Sequence, residues 1–96
     1  MCMLDRLKQL KPEIYRIARR HCAERVWVFG SCARKEETPE SDVDLLIGFN
    51  HGATLFDQVS IQDEVGALVD RKVDVVSKRG LHPYVERRVL AEAVEL

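Results

Sequence analysis

The chain has 96 residues, with 15 basic and 16 acidic side chains and a net charge of −1. That length suits one domain spanning residues 1–96 with a single modest core. The charge balance argues against stable nucleic-acid binding, because domains built to grip nucleic acid are usually clearly basic.

Residues 3–21 read as helical. Leu4, Leu7 and Leu10, then Ile14, Ile17 and Ala18, form an apolar stripe at helical spacing. Pro12 fits a first turn but not a helix interior. Either two helices or one kinked at Lys11-Pro12 is therefore expected. Arg25–Phe29 predicts the first strand, with Trp27 in the core rather than against a base. Gly30-Ser31 marks a turn, and Ser31 to about Glu36 a short helix. Thr38–Ser41, with Pro39, is a polar loop.

Val43–Phe49 predicts the second strand, and its apolar run suggests burial on both faces. The loop 50–53 carries His51, expected to be exposed. Thr54 followed by Asp57 predicts a capped helix. It runs to about Val69 on a stripe of Leu55, Phe56, Val59, Val65, Leu68 and Val69, with Asp63 and Glu64 on a solvated face. Val73–Ser77 is the third strand and Gly80 ends a turn. Pro83 opens a last helix to about Ala93, with Arg87 and Arg88 on its surface; the alternative is that one of them helps hold phosphate. Val94–Leu96 suggests a short edge strand. The alternation indicates an α/β fold.

No segment approaches the roughly 18 apolar residues of a membrane span, and no signal-peptide core is evident. The three cysteines, Cys2, Cys22 and Cys32, show no C-x-x-C spacing. Reduced thiols in a soluble cytoplasmic protein are the expectation, with no zinc set.

Chemistry concentrates in Val28-Phe29-Gly30-Ser31, followed after ten residues by Asp42-Val43-Asp44. Lys72-Val73-Asp74-Val75-Val76 sets one more Asp in an apolar run. Aspartate is a poor strand former and is rarely buried unpaired. Side chains at i and i+2 of a strand share a face, so Asp42 and Asp44 project together. A neighbouring Asp74 strand would add its carboxylate. Like charges about 4 Å apart repel by roughly 4 kcal/mol at an effective dielectric of 20. A divalent cation relieves that repulsion, and oxygen-only ligands suit Mg²⁺ or Mn²⁺ rather than zinc. For Asp74 alone, a salt bridge to Arg71 or Lys72 is the bland alternative. Gly30 lets backbone approach a ligand closely. A helix starting at Ser31 would offer free N–H groups to phosphate, and Arg34 and Lys35 lie one turn on. This equipment points to a nucleoside triphosphate.

The Gly-Ser, ten residues, Asp-x-Asp pattern resembles the signature of the nucleotidyltransferase superfamily that includes DNA polymerase β. The text FGSCARKEETPESDVDLLIGF, then RKVDVVSKRGLHPYVERRVLAEAV, is similar to minimal nucleotidyltransferase (MNT) domains. The resemblance implies a small mixed β-sheet with helices packed mainly on one face. It implies transfer of AMP from ATP with two Mg²⁺ ions, Mn²⁺ substituting. Asp42, Asp44 and Asp74 would be catalytic metal ligands, with Asp74 also taking the acceptor's proton. Gly30 and Ser31, with Arg34, would bind the triphosphate. It further implies an antitoxin whose partner and acceptor is a HEPN-domain ribonuclease toxin, modified on a tyrosine. Alternatives are an antitoxin acting by binding alone and transfer to a small molecule. Two departures stand out: Cys32 where the family often has Arg, and Lys35 where it often has Gly.

Overall fold

A computed structural model describes residues 2–96. Two helices open it, α1 (Met3–Gln9) and α2 (Lys11–Arg20), meeting at Leu10. Pro12 falls in the first turn of α2, where a missing N–H costs nothing. Strands β1 (Ala23–Phe29) and β2 (Val43–Phe49) follow, then α3 (Leu55–Val69), β3 (Val73–Ser77), a 3₁₀ turn (Lys78–Gly80), α4 (Pro83–Glu92) and β4 (Val94–Glu95). The expected edge strand is β4. The sheet order is β3-β2-β1-β4. β2 runs antiparallel to β1 and parallel to β3, so the sheet is mixed as expected.

Period-two alternation divides the sheet's faces. Val26 and Val28, Val43, Leu45 and Ile47, and Val73 and Val75 are buried in the main core. They meet Leu4 and Leu7 of α1, Ile14 and Ile17 of α2, and Ile61, Val65 and Val69 of α3. Trp27 and Leu46 are register partners on the opposite face, and both are buried. Trp27 stacks under Arg25, 4.5 Å from ring centroid to guanidinium carbon, which supports a packing role. That second face carries residues 44, 46 and 48 of β2 and residue 74 of β3.

The Thr54 N–H donates to the Asp57 carboxylate at 2.8 Å, as the capping pattern of α3 predicts. The predicted apolar stripe of α3 holds only in its C-terminal half. Leu55 and Phe56 are 72% and 84% exposed, and Val59 is also exposed. Ile61 takes the buried position instead. Asp63 is exposed, but Glu64 is not merely solvated. It pairs with Arg20 and His21, joining α3 to the end of α2. Among the described residues no helix is long and apolar enough to cross a membrane. All three cysteines are free thiols.

Candidate active site

The register of β2 assembles the site. Asp44 is opposite Phe29 of β1 on one side and opposite Asp74 of β3 on the other. Asp42 lies two residues upstream of Asp44, just before β2 begins. Asp44 and Asp74 therefore stand together at one end of the less covered sheet face, with Asp42 near enough for its charge to act on Asp44. Gly30, which follows Phe29, closes against them. Its φ is +73°, and a Cβ built there would fall 2.4 Å from Asp44 Oδ2. Any side chain at position 30 would collide with the carboxylate, and φ in this range also favours glycine.

Electrostatics carries the same imprint. Burial raises the Asp44 carboxyl above its ordinary value; Asp74 and then Asp42 push it further, and Arg34 opposes them. The Asp74 carboxylate makes no hydrogen bond or ion pair among the described residues. The salt bridge that would give it a merely structural role does not form. Lys72 instead reaches Asp42, Nζ to Oδ2 at 3.7 Å. Arg71 donates to the carbonyls of Ser41 at 3.1 Å and Thr38 at 3.4 Å, bracing the loop that delivers Asp42. Arg71 has no signature spacing, so its role emerges only when the loop is folded.

The predicted helix after Gly30 is a single turn. The N–H of Arg34 returns to Gly30 O, that of Lys35 to Cys32 O, and that of Glu36 to Ser31 O. The last two form the paired bonds that close a helix C-terminus. Lys35 consequently sits at φ +59°, in the left-handed region that glycine enters without penalty. The N–H groups of Ser31, Cys32 and Ala33 find no protein acceptor among the described residues, nor does the Ser31 hydroxyl. One turn adds little macrodipole, so these directed donors are what the turn offers an anion. Cys32 is buried in the core with its thiol pushed up by burial, near Asp42 O at 3.8 Å. Its side chain faces away from the cleft.

Beside the turn lies a cavity of about 320 Å³ lined by Phe29, Gly30, Arg34, Tyr84, Val85, Arg88, Val89 and Glu92. Tyr84, Arg88 and Glu92 recur every four residues on one face of α4, a spacing visible in the sequence. Of the two α4 arginines weighed as surface residues, Arg88 lines this cavity. A larger depression is lined by six residues of α2 alone. One convex helix flank cannot enclose a ligand.

As a cation site, the aspartates fit in kind: oxygen donors only, of one charge sign, with Asp74 unengaged. As their side chains stand, no three acidic groups among the described residues enclose one point. That is an open cluster, of the sort Mg²⁺ shares with water and substrate phosphates. His51 is exposed on its loop and is not placed at the site.

Comparison with known proteins bears directly on this arrangement. A Methanocaldococcus jannaschii protein provisionally named a protein adenylyltransferase is 34% identical over 94% of this chain and 97% of its own. The protein adenylyltransferase MntA of Thermococcus cleftensis is 35% identical over 72% of this chain and 70% of its own. A solved structure provisionally named a minimal nucleotidyltransferase superposes with a TM-score of 0.87 at 41% identity, covering 100% of this chain and 97% of that one. A complex of a tri-AMPylated Shewanella oneidensis HEPN toxin with its MNT antitoxin shares the fold alone, at TM-score 0.68 and 14% identity over 92% of this chain and 69% of that one. The nucleotidyltransferase domain model matches residues 5–96, and the chain belongs to that family.

Proposed function

We propose that this protein transfers AMP from ATP to a tyrosine hydroxyl of a HEPN-domain ribonuclease toxin, and so acts as its antitoxin. The observation that carries this reading is the register pairing of Asp44 with Asp74 beside Gly30. It sets acidic ligands and free N–H donors side by side. Relatives named protein adenylyltransferases, and the AMPylated complex that shares the fold, support the acceptor class.

In this scheme the Gly30-Ser31 turn holds the β- and γ-phosphates through its unengaged N–H groups and the Ser31 hydroxyl. Arg34 adds charge from one turn further on. The acceptor oxygen attacks the α-phosphorus, the bond to the pyrophosphate breaks, and Asp74 takes the hydroxyl proton. Asp42, Asp44 and Asp74 would hold the Mg²⁺. When bound, the metal would neutralise charge on the attacking and leaving oxygens. Positioning by this turn and these strands supplies much of the rate, as in other phosphoryl transfers.

The test is incubation of the protein with labelled ATP, Mg²⁺ and its HEPN partner. A mass gain of one AMP or more on a partner tyrosine is expected. Inhibition of the partner's ribonuclease activity without label would replace this reading with neutralisation by binding alone.

A further inference from the structure

Arg34 reaches the cavity with its guanidinium already engaged. Nε donates to Glu36 at 3.1 Å and a terminal nitrogen to Glu92 at 3.4 Å. Of these two carboxylates only Glu92, on α4, lines the cavity. Arg88 lines it too; it forms no ion pair among the described residues and lies 6.0 Å from the Tyr84 ring centroid. A guanidinium binds a carboxylate and a phosphate with the same planar fork, so one ligand excludes the other from the same donors. The Glu92 charge would also repel a triphosphate laid along the turn.

We propose that Glu92 is an internal competitor for the triphosphate, occupying Arg34 until the phosphates displace it. This rests on the nucleotidyl-transfer reading above and gives α4 a part in that reaction. Glu92 is a positioning residue acting through Arg34. Glu36 takes Nε of Arg34 from outside the cavity, whereas Glu92 takes a terminal nitrogen from inside it, so Glu36 serves as the control. Both pairs are largely exposed, so neither substitution should disturb the fold.

The test is calorimetric titration of the whole protein with ATP–Mg²⁺ and, separately, with tripolyphosphate. Glu92→Gln should tighten both by about fivefold, the upper end of what an exposed ion pair holds. Glu36→Gln should change them by less than about twofold. In an Arg34→Ala background, Glu92→Gln should bring no gain that depends on freeing the guanidinium. Steady-state assays should show a lower KM for ATP with kcat changed less. Weaker or unchanged binding in Glu92→Gln, or a full gain without Arg34, would overturn the proposal while leaving nucleotidyl transfer standing. Absence of ATP binding in both wild type and variant would overturn both.

Discussion

Asp44→Asn should separate stability from activity. At the roughly 4.8 Å spacing of adjacent strands, two unit charges in water repel by about 0.9 kcal/mol. Asp74 faces Asp44 across that spacing and Asp42 lies somewhat further along the chain. Partial exposure and salt reduce both effects, so neutralising residue 44 should stabilise the fold by about 1 kcal/mol at pH 7. For a domain of this size that is a rise in Tm of about 4–8 °C. The pH dependence has a definite sign. The folded-state carboxyl titrates above its unfolded value, so the native state holds this proton more tightly. Wild-type stability therefore falls as pH rises from the unfolded carboxylate range through the folded value. Near about pH 3 residue 44 is neutral in both proteins, and the advantage of the variant should vanish. AMP transfer, meanwhile, should fall by at least about 10²-fold, as when a single essential transition-state contact is removed. Thermal melts at the two pH values and a mass-based transfer assay check this. Lower stability at pH 7, a gain that survives at pH 3, or retained transfer would refute the reasoning.

Gly30→Ala must clear Asp44 Oδ2 and adopt a left-handed backbone; a loss of about 2 kcal/mol in chemical denaturation is expected, together with loss of transfer. Lys35→Gly should stabilise by about 0.5–1 kcal/mol, because φ +59° is strained for lysine; an unchanged denaturation midpoint would contradict that account. Ser31→Ala should weaken ATP binding by about 1 kcal/mol, roughly fivefold, read by titration, and leave the melting temperature alone. Adding Mg²⁺ should raise the wild-type Tm by relieving carboxylate repulsion; the rise should be lost in Asp44→Asn and reversed by chelator in wild type.

The strands and the carboxylate cluster were legible because both rest on period-two alternation. Once Val43, Leu45 and Ile47 face the core, Asp44 must face away, and the same holds for Asp74 between Val73 and Val75. The capped start of α3 was equally local, needing only Thr54 and Asp57. What the sequence concealed depends on tertiary placement. The stripe of α3 looked continuous, yet α3 reaches the core only from Ile61 onward, leaving Phe56 exposed. Glu64 looked like surface because its partners, Arg20 and His21, lie more than forty positions away. A short helix was expected from Ser31 to about Glu36, but the paired bonds that end it at Lys35 and Glu36 stop it after one turn. Of the α4 wall of the cavity only Arg88 was open to a phosphate role from sequence, because Tyr84 and Glu92 match no motif. Only the packing of α4 beside β1 brings them to Gly30.

The aspartates stand on the side of the sheet that α1, α2 and α3 leave uncovered. Such a site has a floor and one wall. A free metabolite would find few surfaces there to hold it in line with a phosphorus atom. On the proposed reading, an acceptor displayed on a folded macromolecule would bring further walls with it, and its shape would decide which hydroxyl reaches the strand ends.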